Sequence, residues 1–201
     1  NAASGGKVKL VTVACEEDGG MEFVANVSKK AAVSLGHTSC NYEQAMEAYA
    51  RGASHATHLY NGMDGLHHRK PGIIAAAMDA NASVELICDG IHVSPAIIHM
   101  SYHAKTAFDD KFVLITDSIP PAGLPNGDYE MNGIKFTLKD GKAATAEDTI
   151  VGSALDMMTA VKNLAKFANI SFEEALICAT KSPAEMVGIY ETVGSLEIGK
   201  R

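Results

Sequence analysis

The chain has 201 residues, of which 47% are hydrophobic and 20% are charged, and its formal net charge is -7 at pH 7. This balance is typical of one globular domain with an apolar core. An acidic chain without a basic stripe argues against nucleic acid as the main partner. No apolar run reaches the ~18 residues that a membrane span requires, so we expect neither a nucleic-acid nor a membrane partner.

The cysteines are widely spaced and contain no CxxC pair, a pattern that favours reduced thiols in the cytoplasm. They are Cys15, Cys40, Cys88 and Cys178. Residues 1–6 are small and polar and lack the features of a signal peptide. We interpret residues 1–6 as a tag or disordered start and expect residues 7–201 to form one domain.

The first half of the chain alternates short apolar runs with helical patterns. The apolar runs predict strands at 7–14, 31–35, 54–58, 83–88 and 111–116. Capping pairs, a first-turn proline and apolar spacing predict helices at 21–30, 41–50, 73–80 and 95–106. A long loop over 59–71 separates two of these units, and loops of this length are often functional.

The pattern changes in the second half. An Asn-Gly and an Asp-Gly turn predict a β-hairpin or meander over 128–144. Apolar spacing predicts an amphipathic helix over 152–168, and capping boxes that start at Ser171 and Ser182 predict two more helices. Alternating strands and helices indicate an α/β protein with parallel βαβ units, either an open doubly wound sheet or part of a (β/α)8 barrel.

Predicted strands end in residues that can bind a metal or move a proton. These are His37, His58, the segment from Asp89 to His92, and Asp117. One such residue alone is usually a cap or a solvent-facing side chain, but the ends of parallel strands meet at one rim. The recurrence therefore favours a site, with His37 and His58 as metal ligands and Asp117 as the base that deprotonates water.

The long loop could hold a phosphate through Asn61, Arg69 and the neighbouring histidines, because arginine can donate two parallel hydrogen bonds. A solvated charged loop is the ordinary alternative. The remaining histidines form no comparable pattern: His55, His67, His68, His99 and His103. For the last two, which share a predicted helix face, surface exposure or helix packing is the favoured interpretation.

Eight stretches, in order along the chain, resemble the N-acetylglucosamine-6-phosphate deacetylase family of the amidohydrolase superfamily. They are SLGHT at 34–38, ATHLYNGM at 56–63, LHHRKPG at 66–72, DGIHV at 89–93, LITD at 114–117, PAGL at 121–124, VGSAL at 151–155 and GSLEIGK at 194–200. Each stretch alone is a weak signal, whereas the ordered set covers nearly the whole chain and is specific.

This resemblance implies a partial (β/α)8 TIM-like barrel, about the last five βα units, with an inserted β-hairpin and C-terminal helices. It implies a divalent metal, zinc or alternatively Fe, Mn or Co, and hydrolysis of the acetamide of N-acetylglucosamine 6-phosphate to glucosamine 6-phosphate and acetate. His37 and His58 would be metal ligands, and Asp117 would act as base and then as acid.

The resemblance also implies a set of substrate contacts. These are Asn61, Gly62, Arg69, His92 and the backbone near Gly152 and Ser153. In this family the loop arginine can reach the neighbouring subunit's site, so a homodimer is implied.

The sequence departs from the family in ways that affect the site. The His-Leu-Glu-Gly-Pro motif of an earlier strand, which supplies a further metal ligand, does not occur, and neither does the Gly-x-His motif that follows it there. Glu16 matches a later Ala-Pro-Glu motif in which Cys15 replaces the proline. We therefore expect the first and the final strands to be missing, and five strands cannot close an eight-stranded barrel.

An unclosed barrel leaves an exposed strand edge at 7–14, so we expect self-association through that edge or pairing with the missing half of the barrel. We also expect weak metal binding and little or no deacetylase activity from this chain alone. Two other functions stay open: another amidohydrolase reaction, such as cyclic-amide hydrolysis, and a non-catalytic half-barrel that only binds a sugar phosphate.

Overall fold

A five-stranded parallel sheet forms the centre of the computed structural model, which describes residues 2–107 and 111–201. Its strands lie in chain order: β1 (Leu10–Val13), β2 (Ala32–Leu35), β3 (His55–Ala56), β4 (Ser83–Ile87) and β5 (Phe112–Ile115). All neighbouring pairs are parallel. The sheet does not close within the described residues, so the predicted α/β class and partial barrel are confirmed.

The helices pack against this sheet, mostly at the predicted positions. They are α1 (Gly20–Val27), α2 (Tyr42–Ala50), α3 (Gly72–Asp79), α4 (Pro95–Thr106), α5 (Met157–Ala168), α6 (Phe172–Ile177) and α7 (Lys181–Met186). The predicted capping box of α2 is confirmed: the Asn41 side chain accepts from the Gln44 amide at 2.9 Å, and the Gln44 side chain accepts from the Asn41 amide. Pro95 is the first residue of α4, as predicted.

Two helix starts in the second half were predicted wrongly. The helix predicted over 152–168 begins only at Met157, because the Asp156 side chain caps it by accepting from the Thr159 amide at 2.9 Å. Ser182 caps no helix, because α7 begins one residue before it and buries it in the first turn. The capping box at Ser171 is confirmed.

A second, antiparallel sheet follows β5, in the order β6-β7-β8-β9. Its strands are β6 (Gly127–Met131), β7 (Ile134–Lys139), β8 (Lys142–Ala144) and β9 (Ile150–Ser153). The predicted meander is present, and β9 is an additional strand. Two backbone hydrogen bonds of 3.0 Å attach β9 to the rim of the parallel sheet, one from the Ser153 amide to the Asp117 carbonyl and one from the Ile119 amide to the Ser153 carbonyl.

The main core lies between the parallel sheet and its helices and includes the fully buried side chains of Leu35, Leu86, Ile98 and Phe112. The small sheet has its own apolar cluster around Phe136. None of the described helices combines the length and apolarity needed to cross a bilayer.

Candidate active site

Equivalent positions at four strand ends carry the predicted chemistry. His37, His58, Asp89 and Asp117 each lie two residues beyond the last residue of β2, β3, β4 and β5. Three of them have left-handed backbones, with φ of 50° at His37, 32° at His58 and 49° at Asp117. Such a conformation costs of order 1–3 kcal/mol away from glycine. Three of the residues for which the sequence predicts chemistry therefore carry backbone strain.

The imidazoles of His37 and His58 meet at this rim. Their Nε2 atoms lie 2.9 Å apart, and the ring planes are inclined at 80°. His58 is buried and His37 is exposed. Burial lowers the pKa of His58, the neighbouring His37 lowers it further, and Asp117 opposes both effects. His58 is therefore neutral near pH 7, which is the form that binds a metal.

This pair fits the ligand set of a divalent ion. Zinc–imidazole bonds are about 2 Å long, so two nitrogens on one tetrahedral ion lie roughly 3.3 Å apart, a slightly larger separation than the 2.9 Å between His37 and His58. The described residues supply two such ligands in the cleft, and no third histidine, cysteine or carboxylate lies within ligand distance of both. The structure therefore brings together the two predicted metal ligands.

A cleft of about 800 Å³ opens over the imidazole pair, a volume within the range of small-molecule sites. Most of the predicted site residues line it: His37, His58, Asn61, Gly62, His92, Asp117 and Gly152. Sequence reasoning missed the rest of the wall, which comes from the loop after β3, the loop after β5 and the small sheet: Tyr60, Ser118, Ile119, Met131, Ile134, Thr149, Ile150 and Val151.

Asp89 orients His92 toward the cleft. One carboxylate oxygen of Asp89 accepts from His92 Nδ1 at 2.6 Å, and the other accepts from the amides of Ile91 and His92 at 2.8 and 2.9 Å. Burial raises the pKa of Asp89, but these hydrogen bonds outweigh it and hold the pKa below its ordinary value. Because Nδ1 of His92 donates to this ionised carboxylate, Nε2 is the nitrogen that can accept from a ligand.

Asn61 and Gly62 shape the turn that follows β3. The Asn61 side-chain amide donates to the carbonyls of His58 and Leu59 at 3.2 and 3.3 Å. Gly62 has a left-handed φ of 56°, and a Cβ there would lie 3.1 Å from Nδ1 of His37. A side chain at this position would therefore crowd the His37 ring.

Two predicted substrate-contact residues do not line the cleft. Arg69 is exposed, and its guanidinium donates to Nε2 of His68 at 2.7 Å. Ser153 is buried, and its hydroxyl donates to the Thr116 carbonyl. The Gly152 backbone lines the wall instead, with a φ of 117°, and a Cβ there would lie 2.6 Å from Cγ2 of Ile119. Ser153 thus positions the end of β5.

His99 and His103 pack against a helix end, which is one of the two favoured interpretations. His103 Nε2 lies 2.8 Å from the Ala168 carbonyl, and His99 Nδ1 lies 3.2 Å from the Phe167 carbonyl. Both carbonyls belong to the last turn of α5, where the helix itself supplies no donors. These two histidines therefore satisfy a helix terminus.

A buried carboxyl beneath the rim was not predicted. Glu85 lies on β4, is 3% exposed, and its Oε1 has no hydrogen-bond partner among the described residues. Burial raises its pKa from 4.5 to about 7; the His58 backbone amide lowers this value and Asp117 adds to the rise. A single glutamate in an apolar strand gives no sequence signal of such a contact.

We expect Glu85→Gln to remove a pH dependence of stability. The raised pKa means that the folded chain binds a proton that the unfolded chain releases, so this stability is present below about pH 4.5 and is lost as pH rises through about 7. The loss amounts to about 3 kcal/mol. Urea unfolding of the metal-free chain at about pH 5 and about pH 8 measures it. Glu130→Gln, at an exposed position of β6, is the control and should keep the wild-type slope.

Comparison with known proteins places this geometry in a family. Residues 12–201 match the model of the amidohydrolase family. The chain is 36% identical over 192 residues to an N-acetylglucosamine-6-phosphate deacetylase of Vibrio furnissii, covering 94% of this chain and 47% of that protein. It is 35% identical over 202 residues to an N-acetylgalactosamine-6-phosphate deacetylase of Escherichia coli, covering 100% of this chain and 53% of that protein.

The fold agrees with these matches. A crystal structure of N-acetylglucosamine-6-phosphate deacetylase from Pasteurella multocida superposes with a TM-score of 0.89 and 31% identity, over 96% of this chain and 50% of that chain. The present chain spans about half the length of the curated relatives it matches. Members of this family generally depend on a divalent metal. The chain therefore belongs to the amidohydrolase family.

Proposed function

We propose that this cleft serves metal-dependent hydrolysis of the acetamide of N-acetylglucosamine 6-phosphate, with glucosamine 6-phosphate and acetate as products. The observation that carries the proposal is the convergence of His37, His58 and Asp117 in one cleft. The names of the similar proteins supply the substrate class. Because the chain spans about half of those proteins, the proposal concerns a site to which this chain contributes.

Asp117 is proposed to move the proton in this reaction. Its carboxylate takes a proton from the water that attacks the acetamide carbonyl, and the protonated carboxyl then delivers that proton to the leaving amine. Asp117 lines the cleft and its backbone is fixed by the Ser153 amide, which donates to the Asp117 carbonyl at 3.0 Å. This fixed position suits a group that must act twice on the same substrate.

His37 and His58 are proposed to hold a divalent ion, with zinc as the first candidate and Fe, Mn or Co as alternatives. When bound, such an ion supplies Lewis acidity to the carbonyl and the water. The described residues provide two imidazole ligands, so we propose that tight metal binding needs a further ligand that they do not supply. This explains why we expect only slow turnover from the chain by itself.

The sugar is proposed to bind against His92, Asn61 and the backbone of Gly152. Nε2 of His92 is available to accept from a hydroxyl because Nδ1 is committed to Asp89. Asn61 uses its amide nitrogen on the chain itself, so its side-chain oxygen is the atom we assign to a ligand donor. The backbone at Gly152 allows close approach because no Cβ stands in the wall.

Arg69 is proposed to bind the phosphate of a neighbouring subunit's substrate in a homodimer. Its exposed position outside the cleft of its own chain is compatible with that role. We further propose self-association along β1, which pairs with β2 alone among the described strands. The four cysteines are buried and form no disulfide in the described part of the chain, which supports the proposed cytoplasmic location.

A substrate panel tests the proposal. The metal-loaded chain is used in excess over substrate. It is incubated separately with N-acetylglucosamine 6-phosphate, its galactosamine epimer, unphosphorylated N-acetylglucosamine and a cyclic amide. Acetate release is followed for the sugars, and ring opening is followed for the cyclic amide. We expect the two phosphorylated sugars to react and the other two to remain, because the similar proteins include deacetylases of both epimers. Preference for the cyclic amide would favour a different amidohydrolase reaction.

A non-catalytic binding function gives a different result in the same panel. It predicts that a phosphorylated sugar raises the unfolding temperature without release of acetate and with little effect of Asp117→Asn.

Arg69→Ala is the matched variant for phosphate recognition. We expect this variant to slow acetate release from the phosphorylated sugars and to leave the binding of unphosphorylated N-acetylglucosamine unchanged.

A further inference from the structure

Two cysteines and a carboxylate converge beside the cleft. The sulfurs of Cys15 and Cys40 and a carboxylate oxygen of Glu16 all lie within 4.8 Å of one another. Both cysteines are 1% exposed, and both are free thiols. This is the only such group of three metal-ligating side chains in residues 2–107 and 111–201.

The position of Cys15 is the same as that of the site residues on the other strands. It lies two residues beyond the end of β1, as His37 and His58 lie two residues beyond β2 and β3. The rim of the sheet therefore presents a possible ligand at β1 as well. Cys40 lies in the loop after β2, three residues beyond His37, so the cluster joins the first two strand ends.

Hydrogen bonds hold the carboxylate in place. The Thr38 hydroxyl donates to one oxygen of Glu16, and the Ser39 amide donates to the other at 2.6 Å. The Cys40 amide in turn donates to the Thr38 hydroxyl at 3.2 Å. Carboxylates that bind metals are commonly oriented in this way by hydrogen bonds to groups behind them. Each oxygen of Glu16 keeps lone-pair capacity for an ion.

The pKa values of the two thiols differ. The thiol of Cys15 donates a hydrogen bond to Cys40, and this bond lowers the pKa of Cys40 and, together with burial, raises the pKa of Cys15. The thiolate is the form that binds a metal. Burial also raises the pKa of Cys88, which lies near Cys178. Cys88 and Cys178 form no group of three ligands among the described residues.

We propose that Cys15, Cys40 and Glu16 form a second cation site, selective for a soft or borderline divalent ion such as Zn²⁺, Cd²⁺ or Co²⁺. Two thiolates favour such ions over Mg²⁺ or Mn²⁺. Binding releases the thiol protons to solvent and leaves a complex of two sulfurs and one oxygen, with room for water as a fourth ligand. The ion would fasten the loop after β1 to the loop that carries His37.

Co²⁺ titration of the reduced, metal-free 201-residue chain tests this proposal, because thiolate ligands give a near-ultraviolet charge-transfer band that imidazole ligands do not. Free thiols are counted first, so that oxidation cannot explain a missing band. We expect the band to saturate at one equivalent and to vanish in Cys15→Ser and in Cys40→Ser. It should persist in the control, Cys88→Ser with Cys178→Ser, and in His58→Asn.

Glu16→Gln keeps the proposal testable where a serine variant fails to fold. It preserves the size of the side chain, but it removes the charge and replaces one accepting oxygen with an amide NH₂. We expect the Co²⁺ concentration at half-saturation of the band to rise by at least about 10-fold, in keeping with ligand-shell substitutions. No band in the reduced wild type, a band that survives Cys15→Ser, or an unchanged half-saturation in Glu16→Gln would overturn the proposal.

Discussion

Asp117→Asn is expected to slow acetate release from N-acetylglucosamine 6-phosphate by about 10²- to 10⁴-fold, the usual contribution of a general acid–base group. An amide cannot take a proton from water at neutral pH, so the substitution removes the proposed proton carrier. Asparagine is the appropriate replacement because Asp117 has a left-handed φ of 49°, a conformation that asparagine tolerates well. Single-turnover reactions with chain in excess make slow release measurable.

Asp148→Asn is the matched control for this experiment. Asp148 also has a left-handed backbone, with a φ of 64°, and it lies outside the cleft, where it pairs with Lys142 at 2.5 Å. We expect Asp148→Asn to keep the wild-type rate. A rate within about twofold of wild type in Asp117→Asn would remove Asp117 from the chemistry, since even a weak general base contributes far more than that.

His58→Asn is expected to weaken Mn²⁺ binding by at least about 100-fold, more than the loss typical for groups that only orient a metal ligand. His58 supplies a neutral imidazole because burial lowers its pKa, and its Nε2 lies 2.9 Å from Nε2 of His37. The variant leaves one imidazole, which cannot hold a divalent ion by itself. Mn²⁺ suits this test because it is a hard cation that avoids the thiols of Cys15 and Cys40.

Electron paramagnetic resonance of free Mn²⁺ measures the affinity directly. His37→Asn should behave like His58→Asn, because both remove one member of the pair. His68→Asn is the control, since His68 is exposed on the loop and contacts Arg69. Equal Mn²⁺ affinity in wild type and in both pair variants would show that the imidazoles are packing residues.

Local sequence signals predicted most of the fold. The capping box at Asn41 and the first-turn proline of α4 act within a few residues, so the sequence alone determines them. Ser182 failed as a cap because a residue before it already begins the helix and packing buries its hydroxyl. Strand β9 was missed because Ile150 and Val151 form too short an apolar run to predict a strand.

The site residues that follow parallel strands were predicted, whereas those placed by packing alone were missed. His37, His58 and Asp117 follow successive parallel strands, so their convergence follows from chain order. Contacts of a side chain with residues distant in the sequence, such as that of the Glu85 carboxyl with the His58 backbone amide, depend on packing and carry no local signal. Arg69 lies off the cleft because its loop turns back on itself, with the Lys70 amide donating to the His67 carbonyl at 3.0 Å.

The most direct test of the account is the metal dependence of acetate release by the wild-type chain. The chain is stripped with a chelator, Mn²⁺ is added in steps, and occupancy and acetate are measured in the same samples with N-acetylglucosamine 6-phosphate in deficit. We predict no release without metal and a slow rate that rises in proportion to the occupancy of the His37–His58 pair. Release that continues unchanged in the stripped chain, or release whose rate is independent of that occupancy, would contradict a metal-dependent deacetylase site in this cleft.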